Sequence, residues 1–123
     1  MGRQGVVQQM TGLLLLTLDA AQEISFQFLH SIKTDHAETH QYIESFTAVI
    51  QKALIENLER GKGEGFYRDD MEPSIVVPLY FAQLREIIEQ PITRPPAWTE
   101  ELYKLFLFGV LTPKGQQYLS VSA

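Results

Sequence analysis

Apolar residues open the chain at Val6, Val7, Met10, Leu13, Leu14 and Leu18. This three-and-four spacing predicts a helix with one buried stripe, which Leu15 and Leu16 widen. A second helix is expected from about Ala20 to Lys33, with Ile24, Phe28, Leu29 and Ile32 facing one way and Phe26 adding a second apolar direction. Thr34 and Asp35 then supply a start signal, Asp35 with Glu38 forming the acidic version of a capping box. In the longest helix, Tyr42, Ile43, Phe46, Val49, Ile50, Ala53, Leu54 and Leu58 keep register, while Glu56 and Arg60 sit at i, i+4 on the outside. Gly61, Gly63 and Gly65 are expected to end it, because glycine alone takes left-handed backbone angles without steric cost.

The segment Ser74-Ile75-Val76-Val77-Pro78-Leu79-Tyr80-Phe81 is β-branched enough to pass for a strand, and Pro78 argues against the middle of either element. Helix is the better reading. With a cap somewhere in Asp70 to Ser74, Pro78 lies about one turn inside the helix, and Leu84, Ile87 and Ile88 continue the stripe. Pro91, Pro95 and Pro96 mark a loop. A further helix is expected from Ala97 to Leu111, apolar nearly all round, its Glu100 and Glu101 suited to the positive end of the helix dipole. Thr112-Pro113 reads as an N-cap followed by proline at the first helical position, so a short terminal turn or helix through Leu119 is expected. The fold class is therefore all-α, a bundle of five or six helices forming one domain over residues 1–123.

Composition narrows the function classes. The 123 residues are 45% hydrophobic and 20% charged, an ordinary globular profile rather than a disordered one. There are no cysteines, hence no disulfide framework and no thiolate zinc site, and the polar opening Gly2-Arg3-Gln4-Gly5 does not resemble a secretory signal. The cytosol is the simplest compartment. The apolar run from Leu105 to Leu111 is far short of the roughly 18 residues that a membrane-spanning helix needs. A net charge of −5 repels a phosphate backbone, so this chain by itself is expected to bind nucleic acid poorly.

Two spaced patterns stand out. Asn57, Arg60, Gly61, Glu64, Gly65, Tyr67, Arg68 and Asp70 form the first, and Phe106, Gly109, Val110, Thr112 and Gly115 the second. Over roughly Gln51 to Tyr118 the chain thereby resembles the C-terminal regulatory domain of TetR-type bacterial transcriptional regulators. The resemblance implies an all-α part that homodimerises and often holds a small-molecule pocket, attached to an N-terminal helix-turn-helix that reads DNA. No copy of that head is legible here, because Met1 to Leu29 reads mostly as leucine-rich helix. The chain is accordingly expected to be a fragment of a longer regulator, touching DNA only through the missing part. Relatives pair their last two long helices in a four-helix interface, which implies dimer contacts at Leu84, Ile88, Leu102, Leu105, Phe106, Gly109 and Val110. A stand-alone helical interaction module and a small-molecule carrier are the rival readings.

Phe26, Phe28, Tyr42, Phe46, Tyr80 and Phe81 are candidate linings of an effector pocket for an apolar or planar molecule, with plain core packing as the competing reading of each. His36, His40 and Glu44 share a helix face, yet the order His36-Ala37-Glu38-Thr39-His40 is not a zincin motif, and no metal or other cofactor is expected. Gly61, Gly63 and Gly65 lack the lysine and hydroxyl of a phosphate loop and follow a helix instead of a strand. Ser25, His30 and Asp35 lie near one another in sequence without a nucleophile elbow or oxyanion loop, so no catalysis is expected.

Overall fold

The computed structural model describes the backbone of residues 4–30, 36–89 and 97–122, and side chains for most of these, excepting 4, 24–30, 36–40, 42–43, 88–89 and 120–122. Among the described residues five helices follow in order: α1 (Gln4–His30), α2 (His36–Gly63), α3 (Pro73–Glu89), α4 (Ala97–Val110) and α5 (Pro113–Ser122). The protein is an all-α bundle. Among the described residues no helix is long and apolar enough to cross a membrane.

The expected break between two N-terminal helices does not occur, since α1 runs unbroken through Asp19-Ala20-Ala21. That stretch contains neither proline nor glycine, and alanine is the strongest helix former, so a shift in the apolar stripe does not interrupt the backbone. The long α1 is the centre of the bundle, lying against α2, α3, α4 and α5. Its inner face carries Val6, Val7, Met10, Leu14, Thr17 and Ala21, all buried.

Each neighbour presents one stripe to α1. From α2 come Ile50, Leu54, Asn57 and Leu58, from α3 Val77, Tyr80, Phe81 and Leu84, and from α4 Phe106, Leu107 and Val110. Val49, read from the sequence as part of the α2 stripe, is 67% exposed. Glu72 caps α3: its carbonyl accepts from the Ile75 and Val76 amides, and Pro73 occupies the first helical position. Pro78 then falls on the outer side of α3, where water can satisfy the carbonyl that proline leaves without a donor. The expected loop at Pro91, Pro95 and Pro96 lies outside the described residues.

Candidate functional site

The two patterned segments, some forty residues apart in sequence, meet in space. Tyr67 and Leu111 form an isolated antiparallel bridge, flanked by the Arg68 amide donating to the Val110 carbonyl at 2.8 Å and the Thr112 amide donating to the Phe66 carbonyl at 3.0 Å. The α2–α3 corner is thus fastened to the α4–α5 corner by main-chain hydrogen bonds. Thr112 serves both sides. Its Oγ1 accepts from the Gly115 amide at 3.1 Å as the N-cap of α5, and lies 2.7 Å from the Gly65 carbonyl, to which it donates. Lys114 donates to the Glu64 carbonyl at 2.9 Å and sits 4.7 Å above the Phe66 ring. A Cβ at Gly115 would overlap the Phe66 carbonyl, so only glycine lets the two corners close.

Beneath this junction lies a buried polar cluster. Tyr67 donates its hydroxyl proton to Asn57 Oδ1 at 2.6 Å, while Asn57 Nδ2 donates to the Val6 carbonyl at 2.9 Å and to Gln9 Oε1 at 2.8 Å. Arg60 adds a second donor to Gln9 Oε1 at 2.7 Å. The carbonyl of Val6 has a lone pair to spare beyond its helical bond, and α2 uses it to grip α1. Burial pushes the Tyr67 phenol far above its ordinary range, which keeps it a donor. On the surface, Arg68 holds Asp70 through two hydrogen bonds of 3.0 Å and keeps that carboxyl below its usual range, while also donating to the Gly109 carbonyl. These patterned residues therefore fix corners and helix positions.

The glycines play separate parts. Among the described residues only Gly65 has a positive φ, at 85°, and it makes the turn after α2. Gly61 is still helical, and a Cβ there would run into the Tyr67 ring and approach Val6 Cγ1 to 2.9 Å. Its requirement is close approach between helix and ring rather than the left-handed stop expected from the sequence. Gly63 meets nothing within 4 Å.

A cleft of about 760 Å³ lies between α2 and α3. Its apolar lining comes from Ala48 and Ile55 on α2 and from Pro78, Phe81 and Ala82 on α3, with Lys52, Glu44 and Glu56 on one wall and Arg85 on the other. Of the six aromatic residues expected to line a pocket, Phe81 reaches this cleft. Tyr80 instead turns into the core: its ring lies 4.9 Å from that of Phe106, and its hydroxyl meets Thr17 Oγ1 at 2.8 Å. Thr17 spends its own proton on the Leu14 carbonyl, so Tyr80 is the donor, and burial raises its phenol to about 12. Phe46 is partly buried against the core. The side chains of Phe26, Phe28 and Tyr42 lie outside the described residues. Lys52, Ala48, Ala82 and Arg85 were not singled out in the sequence, although Ala48 and Lys52 repeat at i, i+4 and Ala82 with Arg85 at i, i+3.

The expected dimer residues divide. Leu84, Phe106 and Val110 are buried in the chain's own core, because the continuous α1 supplies α3 and α4 with an inner neighbour. Leu102 is partly buried, whereas Leu105 is 73% exposed and Gly109 also faces out. The side chain of Ile88 lies outside the described residues. The outer face of α3 and α4 instead carries Ile75, Leu79, Trp98, Leu105 and Phe108, each at least half exposed. A groove of about 460 Å³ lies along it, bordered by Ile87, Trp98, Leu102 and Leu105. Of the metal candidates, the side chains of His36 and His40 lie outside the described residues, among which no group of acidic and histidine side chains is placed to hold an ion.

Compared with protein-family models, curated proteins and solved structures, the chain finds no match in any of the three.

Proposed function

We propose that this chain is the regulatory half of a TetR-like transcriptional regulator, a domain that pairs with a second copy of itself and senses a small molecule. The observation that carries the reading is the outward apolar face of α3 and α4. Ile75 and Leu79 recur at i, i+4 on α3, and Trp98, Leu105 and Phe108 at i, i+7 and i+10 on α4, so each helix turns apolar residues outward, and a groove bordered by Ile87, Trp98, Leu102 and Leu105 joins the two helices. A monomer leaves such a surface in water, whereas two copies set face to face bury it in a four-helix arrangement. An interface of roughly 1,600 Å² is the ordinary size for a stable pair.

The cleft between α2 and α3 is the place for the effector. Because α1 touches every other helix, a molecule that changes the α2–α3 spacing also biases the tilt of α1. Such a molecule acts only through a difference in affinity between the two tilts. In an intact regulator that tilt would set the spacing of two DNA-reading heads.

Sedimentation equilibrium tests the pairing. A dimer is expected at tens of micromolar, and Leu105→Glu with Phe108→Glu should return a folded monomer, since both side chains lie outside the core. A monomer for the unaltered chain would sink the reading, as would a genomic sequence with no helix-turn-helix encoded in frame upstream.

A further inference from the structure

Seven lysine and arginine side chains are described, and five of them are engaged: Arg60 with Gln9, Lys62 with the Met71 carbonyl, Arg68 with Asp70, Lys104 with Glu101 and Lys114 with the Glu64 carbonyl. Among the described residues the remaining two, Lys52 and Arg85, make neither a hydrogen bond nor an ion pair, and both line the α2–α3 cleft. They stand on opposite walls, one on α2 and one on α3. We propose that this cleft binds an amphipathic monocarboxylate, with Lys52 and Arg85 holding the carboxylate and Ile55, Pro78 and Phe81 receiving the apolar body. The proposal rests on the regulatory reading and deepens it by naming the chemical class of the effector.

Three observations support that class. A volume of about 760 Å³ is within the range of roughly 300 to 1,000 Å³ usual for small-molecule sites. Ala48 and Ala82 put small side chains on the two walls, which keeps the apolar surface open to a ligand. On a chain of net charge −5, Lys52 and Arg85 are two cations with no hydrogen bond or ion pair among the described residues, placed on the two walls of one cleft, and a guanidinium with an ammonium can share one carboxylate. Glu44 and Glu56 border the same cleft, so its four charged side chains balance, and a doubly charged group is opposed more strongly than a singly charged one. The two glutamates select a single carboxylate over a phosphate ester.

Calorimetric titration of the whole chain tests this, using decanoate below its micelle concentration and two controls of equal chain length, 1-decanol and decyl phosphate. Decanoate should saturate at one per chain, with decanol and decyl phosphate each weaker by about fivefold or more. Lys52→Gln and Arg85→Gln should each weaken decanoate by about five- to tenfold and remove the preference over decanol. Ala82→Trp, which fills the cleft, should abolish binding. All three positions are exposed, so an unchanged thermal midpoint in circular dichroism shows that the fold is kept. Absence of saturable decanoate binding, or equal binding by the Lys52→Gln, Arg85→Gln double variant, would overturn the proposal. Sedimentation of the same samples separates the two readings. A dimer that ignores decanoate discards the ligand class alone, while a monomer that binds decanoate through Arg85 discards the regulator and keeps the site.

Discussion

The Tyr67 hydroxyl reaches Asn57 Oδ1 at 2.6 Å, and the amide of that asparagine in turn holds the Val6 carbonyl, so one side-chain pair ties the end of α2, the following turn and the start of α1. Both residues are almost wholly buried. An unmade bond at this depth leaves a polar atom with no water to replace its partner.

Tyr67→Phe is therefore expected to destabilise the fold by about 1–3 kcal/mol, and Asn57→Leu by a similar amount or more, since it also releases Gln9. The double variant should cost less than the sum, because neither half of the pair is then stranded. Urea denaturation of the four proteins measures the coupling. Simple additivity would mean that the hydrogen bond contributes nothing specific.

Gly61→Ala and Gly63→Ala should separate by sign. A methyl group at Gly61 collides with the Tyr67 ring and presses on Val6, an overpacking that costs about 1–3 kcal/mol despite alanine's better helix propensity. At Gly63 the space is open, so the same change should be neutral or add up to about 1 kcal/mol of stability. Equal effects at the two sites in thermal melts would remove the close-approach argument.

Thr112→Ala should cost about 1–2 kcal/mol, because it uncaps α5 and releases the hydroxyl bond to the α2–α3 corner. Thr112→Ser keeps the oxygen and should recover most of the loss. Hydrogen exchange gives the readout. Faster exchange of the Gly115 and Gln116 amides is expected in the alanine variant and not in the serine variant.

Burial raises the phenols of Tyr67 and Tyr80, the latter to about 12. Below an ordinary tyrosine value of about 10 both the folded and the unfolded chain keep these protons, and stability is insensitive to them. Above it the unfolded chain releases protons that the folded chain retains, so stability falls as pH rises from about 10 to 12, by up to about 1.4 kcal/mol per pH unit for each such group. Tyrosinate absorbance should show ionisation of these two residues only together with loss of helical circular dichroism. All five tyrosines titrating near 10 in a folded chain would contradict their burial.

Much of the architecture was legible because local signals and tertiary packing agree. Thr112-Pro113 reads as a helix start in the sequence and is one in the structure, where the threonine oxygen meets the amide three residues on. Gly65 reads as a turn and has the positive φ to match. Periodicity, however, reports that a face is apolar and not what it meets. Phe106 and Val110 looked available to a second copy because α4 is apolar nearly all round, whereas α1 covers that side and leaves Leu105 and Phe108 outside. The cleft was harder to foresee, since Lys52 and Arg85 belong to helices whose order along the chain says nothing of the distance between their walls.

The Tyr67–Leu111 bridge and its flanking amides join backbone to backbone, and apart from Gly115, which must stay small beside the Phe66 carbonyl, they do not depend on which side chains the bonded residues carry. What the junction reads is spacing: how many residues separate the end of α2 from Arg68, and the end of α4 from Thr112. Inserting or deleting one residue in either segment would put every donor one place away from its acceptor, where most point substitutions would not. At this corner, Gly65, Thr112 and Gly115 set apart, the count of residues matters more than their kind.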